Sequence, residues 1–159
     1  MKKRKYCVHL SREQAEAVTK SENTVLISIT DPGSTGARIQ PGAWLEVLPL
    51  QFHDVGHGEI NTQRLIEAGY VPPLPEHAQA IAEFIRKHAG CNIVAHCEAG
   101  ISRSAAVCAV LRELGWRYLK PHATGLTHAN PLLLGLLQRA WDNYDRNAIQ
   151  SSHGSRAHA

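Results

Sequence analysis

Hydrophobic positions in this chain follow two patterns: short continuous apolar runs, and longer segments in which apolar residues recur at helical spacing. The runs at residues 6–10, 24–29 and 91–96 contain β-branched or aromatic side chains and are bounded by polar or turn residues. A fourth run covers residues 44–52, although Pro49 weakens its later part as a strand because proline lacks an amide donor. We predict a strand at each of these four places.

Four other segments have the character of helices. Ser11 and Gln14 stand at the spacing of a capping box and predict a short helix that begins there. In residues 75–89, alanine and isoleucine recur at helical spacing, which predicts an amphipathic helix. Residues 102–114 are almost entirely apolar, so a helix there must be buried on most sides. A last helix is predicted over residues 131–144.

The alternation of predicted strands and helices indicates the α/β class. We predict a single domain with a central, mostly parallel twisted sheet of roughly four to five strands and helices on both faces. The domain is expected to span residues 1–145, and residues 146–159 are expected to form a disordered tail. The longest uninterrupted apolar run, residues 105–111, is far shorter than the ~20 residues that cross a bilayer, so we expect no membrane segment.

The net charge of +3 comes from a short basic head rather than from the body of the chain. Four of the 17 Lys and Arg residues lie in residues 1–5, which leaves 13 basic and 14 acidic residues elsewhere. We interpret the head as a solubilising end, although such a cluster could also contact nucleic acid. No apolar signal-peptide core follows it, and the four cysteines show no zinc spacing. We therefore expect a cytoplasmic protein with reduced thiols and no membrane partner.

The chemistry of the chain is concentrated between the strand at 91–96 and the apolar helix at 102–114. The connecting stretch begins with His96 and Cys97 and ends with Arg103. A loop from the end of a strand to the start of a helix directs backbone N–H groups inward, and the helix dipole strengthens this anion nest. A cysteine held there beside an arginine is expected to be a nucleophilic thiolate. The alternative is a buried structural thiol, which the polar turn disfavours.

Each polar residue of this stretch has an expected task. Arg103 supplies a planar fork that matches two phosphate oxygens, and Gly100 keeps the cradle free of a side chain. Ser104 can donate a hydrogen bond to the sulfur of Cys97 and ease its departure from phosphorus. His96 can hold the loop through its ring nitrogens. The expected phosphate-binding residues are Glu98, Ala99, Gly100, Ile101, Ser102 and Arg103.

The stretch resembles the signature loop of the cysteine-dependent protein tyrosine and dual-specificity phosphatase superfamily, His-Cys-x-x-Gly-x-x-Arg-Ser/Thr. Residues 99–104 are most similar to the dual-specificity branch, while residues 28–32 and 52–54 are similar to small bacterial and phage predicted tyrosine phosphatases. Asn130 and Leu137 partly match a Pro-Asn…Gln-Leu pattern of that branch. The resemblance implies a phosphatase fold and hydrolysis of phosphotyrosine, and also of phosphoserine or phosphothreonine, on a protein substrate.

By the same resemblance, Cys97 attacks phosphorus while Arg103 and the loop amides hold the equatorial oxygens. An aspartic acid protonates the leaving oxygen and then activates the water that hydrolyses the phosphocysteine. The loop supplies the positive potential, so we expect neither a metal nor another cofactor. Asp54, which follows a predicted strand, is the preferred acid, and Asp31 and Glu59 are the alternatives.

Proteins with other functions can carry the same kind of loop, and the sequence leaves these functions as alternatives. A phosphate-binding pseudophosphatase would keep the loop without turnover, and an RNA 5′-phosphatase would use the basic head. A sulfurtransferase or arsenate reductase would need no upstream acid. Finally, the carboxylate of Glu98 at the rim of the site is expected to disfavour highly anionic substrates such as phosphoinositides.

Overall fold

The computed structural model describes residues 3–156, and a parallel sheet of five strands runs through them. Across the sheet the strand order is β3-β2-β4-β1-β5, and every neighbouring pair is parallel. The predicted α/β class with a mostly parallel sheet is confirmed by this order. The strands are β1 (Tyr6–Ser11), β2 (Thr24–Thr30), β3 (Val47–Gln51), β4 (Asn92–Cys97) and β5 (Arg117–Tyr118).

Five helices connect or follow the strands. The capping box predicted at the first of them is present, because the Ser11 hydroxyl accepts from the Gln14 amide and the Gln14 side chain accepts from the Ser11 amide. The helices are α1 (Arg12–Ala17), α2 (Glu59–Glu67), α3 (Pro75–Lys87), α4 (Arg103–Glu113) and α5 (Pro131–Arg156).

The structure differs from the predicted elements in three places. Helix α2 and the two-residue strand β5 were not predicted: Gly58 gives α2 no side-chain cap, and two residues carry no periodic pattern. Helix α5 continues through residues 146–156, where a disordered tail is predicted, and residues 157–159 lie outside the described residues. Pro49 is accommodated in β3 because this strand lies at the edge of the sheet and pairs with β2 alone.

Both faces of the sheet are covered. Strand β2 is buried along its whole length, which explains its continuous apolar character. Alternate residues such as Val25, Ile27 and Ile29 join the main core with α3, α4 and α5. Leu26, which points the other way, is also buried, and α1 contacts β1 and β4. Among residues 3–156, no helix is both long enough and apolar enough to cross a membrane.

The parallel arrangement determines where chemistry can occur. Because all the strands run in one direction, their carboxyl ends lie at a single edge of the sheet. Ser11, Thr30, Gln51 and Cys97 are the last residues of four neighbouring strands. The loops that follow these strands therefore meet around the Cys97 loop.

Candidate active site

Cys97 lies at the end of β4 and is only 2% exposed. Its Sγ accepts a hydrogen bond from the backbone N–H of Gly100 at 3.3 Å and lies 3.2 Å from Oγ of Ser104 in the first turn of α4. The predicted neighbours of the nucleophile are thus brought together around its sulfur. A thiolate in this position would be stabilised by both donors and by the N-terminus of α4.

The loop after Cys97 is built so that its carbonyls point outward. The carbonyl of Glu98 accepts from the Arg12 amide at 3.1 Å, and that of Ser102 accepts from the Asn130 amide at 3.0 Å. The carbonyl of Gly100 accepts from Nδ1 of His9 at 2.7 Å. In a trans peptide the C=O and the following N–H point in opposite directions, so each outward carbonyl turns an amide inward.

The inward amides form the expected anion nest. Within residues 3–156, the backbone N–H groups of Glu98, Ala99, Ile101 and Ser102 donate to no protein acceptor. Unpaired N–H groups beside a helix N-terminus are the arrangement that binds a phosphoryl group. The loop predicted to bind phosphate therefore has the donors to do so.

Gly100 is required for a reason other than the one expected from the sequence. Its φ is +73°, and a Cβ placed on it would lie 2.4 Å from the Ser11 nitrogen and 2.5 Å from the Leu10 carbonyl carbon. The constraint therefore comes from strand β1 behind the loop, not from the cradle in front of it. Glycine alone lets the loop pack this closely against the backbone of β1.

Arg103 presents one edge of its guanidinium to the site. The side chain is 5% exposed, and its Nη1 donates to Oδ1 of Asp31 and to the carbonyl of Phe52, each at 2.7 Å. Its Nε is buried and has no partner among the described residues. Since both Nη1 hydrogens are used by the protein, the Nε and Nη2 edge remains for two phosphate oxygens.

Asp31, the alternative acid of the sequence analysis, is therefore placed beside Arg103, where it orients the guanidinium. The side chain of Glu59, the third candidate, lies outside the described part of the structure. Asp54 is the carboxylate that reaches the loop itself, because its Oδ1 accepts from Oγ of Ser102 at 2.7 Å.

Two further donors converge on the same Asp54 oxygen. Nδ2 of Asn130 lies 2.8 Å from Oδ1 of Asp54, and Nε2 of His57 lies 3.1 Å from it. Burial alone would raise the pKa of Asp54, but the hydrogen bonds from Asn130, Ser102 and His57 outweigh it and hold this pKa below its ordinary value. Asp54 is thus a carboxylate in the free protein at neutral pH.

Asn130 braces this arrangement from the start of α5. It is completely buried, its Nδ2 also donates to the Val55 carbonyl, and its Oδ1 accepts from the Leu133 amide. The side chain therefore caps α5 and holds the Asp54 loop at once. The sequence signal for it is Asn followed by Pro131 at the helix start, together with the partial family pattern.

His57 also belongs to the site, although no sequence pattern marks it as a site residue. Its Nε2 lies 3.0 Å from Oγ of Ser102 as well as near Asp54, so it bridges the acid loop and the phosphate loop. His53 instead binds the backbone of Val71, since its Nδ1 accepts a hydrogen bond from the Val71 amide at 2.9 Å. Within residues 3–156, no group of three or more His, Cys, Asp or Glu side chains is arranged to hold a metal ion.

His96 supports the loop from behind, as its position before Cys97 suggested. It is fully buried, with Nδ1 3.1 Å from the Cys97 carbonyl and Nε2 2.6 Å from Oγ of Ser28. Burial lowers the pKa of His96, which keeps the ring neutral. Since a carbonyl can only accept, Nδ1 carries the proton, and Ser28 donates to Nε2.

Glu98 is not a free charge at the rim. Its Oε1 lies 3.2 Å from Nη1 of Arg12, whose Nη2 donates to the Thr35 carbonyl at 2.8 Å. The carboxylate is therefore partly neutralised, and it ties the phosphate loop to α1 and to the segment after β2. Any effect of Glu98 on substrate choice is reduced by this ion pair.

The structure places the loop that carries Cys97 and Arg103 at the carboxyl end of β4, a central strand of the parallel sheet. No protein-family model and no curated protein matches the sequence. Among matching solved structures, human DUSP28 is 17% identical, with 89% of this chain and 94% of that chain covered and a TM-score of 0.47. The human tyrosine phosphatase-like serine/threonine/tyrosine-interacting protein is 21% identical, with 76% and 78% covered and a TM-score of 0.44.

Proposed function

We propose that this protein is a cysteine-dependent phosphatase that hydrolyses phosphate monoesters on proteins, with phosphotyrosine as its main substrate. The observation that carries the proposal is the position of Sγ of Cys97 in a loop whose free N–H groups and Arg103 edge are complementary to a phosphoryl group. Phosphoserine and phosphothreonine are secondary substrates of the same chemistry.

In the first step, the thiolate of Cys97 attacks phosphorus, and the S–P bond forms as the bond to the leaving oxygen breaks. The Nε and Nη2 edge of Arg103 and the loop amides hold the three equatorial oxygens. Protonated Asp54 gives its proton to the leaving oxygen, so the product departs as a neutral hydroxyl.

In the second step, Asp54, now a carboxylate, takes a proton from water while the water oxygen attacks phosphorus. The S–P bond breaks, inorganic phosphate is released and the thiolate of Cys97 is restored. Ser104, 3.2 Å from Sγ, donates a hydrogen bond to the departing sulfur. Ser102, His57 and Asn130 support this step because their hydrogen bonds favour the carboxylate form of Asp54.

The first step requires protonated Asp54, although the hydrogen bonds to this side chain favour its carboxylate form. A phosphate dianion bound beside Asp54 increases its affinity for a proton, because a nearby like charge disfavours the carboxylate. The proposal therefore includes an acidic pH optimum for substrates whose leaving group needs protonation.

The test is hydrolysis of p-nitrophenyl phosphate and of a phosphotyrosine peptide by wild type, Cys97→Ser and Cys91→Ser. Cys91 lies just before β4 and away from the loop, so it is the matched control. We expect Cys97→Ser to lose turnover while it still binds inorganic phosphate, and Cys91→Ser to remain active. Acid quenching during turnover should yield phosphorylated Cys97 by mass spectrometry.

Two results would overturn the proposed chemistry, and a third would overturn the proposed substrate. Turnover by Cys97→Ser at the wild-type rate would exclude Cys97 as the nucleophile. Phosphate binding without turnover by wild type, on a panel that includes phosphoserine and phosphothreonine peptides, would indicate a pseudophosphatase. Activity confined to 5′-phosphorylated RNA would keep the chemistry but assign a different substrate.

A further inference from the structure

The carbonyl of Gly100 is held from outside the phosphate loop by a histidine of another strand. His9 lies in β1, is completely buried, and places Nδ1 2.7 Å from this carbonyl. Its Nε2 lies 2.7 Å from the hydroxyl of Tyr118 in β5, and the two rings are stacked. Nε2 of His122 approaches the same carbonyl less closely, at 3.4 Å. None of His9, Tyr118 and His122 is among the site residues predicted from the sequence.

The partners determine the direction of each hydrogen bond. A carbonyl can only accept, so Nδ1 of His9 carries the proton and donates to Gly100. Burial lowers the pKa of His9, so the ring is neutral and Nε2 is an acceptor. Burial also raises the pKa of Tyr118 to about 12, so its hydroxyl keeps its proton and donates to Nε2. Tyr118 thereby selects the tautomer of His9 that can hold the loop.

The peptide between Gly100 and Ile101 is the part of the loop that needs this support. Its C=O points at His9, so its N–H, which belongs to Ile101, points the opposite way, into the anion nest. Gly100 has φ +73°, and glycine allows this peptide to rotate at little steric cost. The neighbouring loop carbonyls of Glu98 and Ser102 are held by backbone amides instead.

We propose that His9, oriented by Tyr118, is a positioning residue that keeps the Ile101 N–H directed at the bound phosphoryl group. It does not touch the substrate, and it acts through the Gly100–Ile101 peptide. The proposal deepens the phosphatase function proposed above and concerns the same loop, although its effect on anion binding does not require turnover.

Two amide substitutions distinguish the contribution of Nδ1 of His9 from that of Nε2. The side-chain nitrogen of Asn lies near the place of imidazole Nδ1, whereas that of Gln lies near the place of Nε2. We expect His9→Asn to bind inorganic phosphate within about twofold of wild type. His9→Gln should bind it about tenfold more weakly, since it loses the donor that fixes one charge-assisted hydrogen bond.

The measurement is the dissociation constant of inorganic phosphate by titration calorimetry, together with kcat and KM for p-nitrophenyl phosphate. Cys7→Ala is the matched control, because Cys7 is buried in β1 on the same face as His9 while its thiol is directed at the Cys108 carbonyl in α4. It should lower the melting temperature and leave phosphate affinity unchanged. Tyr118→Phe should weaken phosphate binding about threefold, because the His9 tautomer is no longer selected.

Equal phosphate affinity in His9→Asn and His9→Gln would overturn the positioning role. If His9→Gln fails to fold, wild-type affinity in Tyr118→Phe would overturn it instead. A difference between the two amide variants in a protein that lacks turnover would support the positioning role and contradict the phosphatase function. Two active amide variants with equal phosphate affinities would support the phosphatase function and contradict the positioning role. Failure of one proposal can therefore be distinguished from failure of the other.

Discussion

Arg103 donates a hydrogen bond through Nη1 to Oδ1 of Asp31 at 2.7 Å, so the guanidinium is oriented before any ligand binds. Asp31 follows β2 and Arg103 begins α4, and the two meet because β2 and β4 are neighbours in the sheet. The two contacts of Nη1 leave the Nε and Nη2 edge without a hydrogen-bond partner among the described residues. An arginine preorganised in this way loses little conformational entropy when it binds two phosphate oxygens.

The first prediction concerns this ion pair. Asp31→Ala should raise KM for p-nitrophenyl phosphate about fivefold, because the guanidinium loses an orienting acceptor. Asp31→Asn keeps an oxygen acceptor and should stay within about twofold of wild type. Steady-state kinetics of the two variants provide the measurement. Identical KM values for Asp31→Ala and wild type would show that the Phe52 carbonyl is sufficient to orient Arg103.

The second prediction concerns the acid. Asp54→Asn should lower kcat by roughly 10²–10⁴ and flatten the basic limb of the pH profile, which is the usual effect of losing a positioned proton donor. The loss should be smaller for substrates with good leaving groups. Asp142→Asn, an exposed aspartate in α5, is the control. The assignment is wrong if Asp31→Asn has this kinetic signature and Asp54→Asn does not.

The third prediction follows from the lowered pKa of Asp54. A carboxyl group whose pKa is lower in the folded state stabilises the fold above its unfolded pKa, and this contribution is lost as pH falls through the folded value. Wild type should therefore have a higher melting temperature than Asp54→Asn between about pH 5 and 7. The difference should vanish as pH falls below about 4. Thermal unfolding followed by circular dichroism across this range is the measurement, and a difference that grows toward low pH would contradict it.

The fourth prediction separates steric conflict from backbone strain at glycine. Gly100→Ala should cost more than about 2 kcal/mol in unfolding free energy, since its Cβ would overlap the backbone of β1. Gly42→Ala is the matched control because its φ is +77° while its surroundings are open, so about 1 kcal/mol of strain is expected. Urea unfolding of both variants measures the difference. Equal losses would mean that the loop can move away from β1.

The fifth prediction concerns substrate charge. The wild type should prefer a phosphotyrosine peptide over a soluble inositol polyphosphate. Glu98→Gln removes one carboxylate from the edge of the loop and leaves Arg12 paired with Glu16 alone, so it should shift the ratio of kcat/KM values toward the inositol compound by about threefold at low salt. The shift should decrease at high salt because exposed charges are screened. A ratio that does not respond to salt would show that Glu98 has no electrostatic part in substrate choice.

The sequence by itself determined the local units of this protein. The apolar run before Cys97, the glycine-containing turn and the apolar segment after it define strand, loop and helix within one continuous stretch. The capping box at Ser11 was likewise readable, because its partners are three residues apart. Such features depend on backbone geometry over a few residues, so spacing alone reveals them. Helix α2, with an uncapped start at Gly58, lacked a comparable signal.

Only the tertiary structure decided which distant side chains complete the site. Four residues on different segments, His9, Asp31, Asp54 and Asn130, each contact the Cys97 loop or Arg103 from across the fold. These contacts depend on the strand order, which places β1 and β2 on either side of β4. A strand's own residues specify its two faces but not its neighbours, which are chosen by the packing of the whole chain. For that reason Cys97, Arg103 and Asp54 could be named from the sequence, whereas the contact of His9 with the loop and that of Asp31 with Arg103 could not.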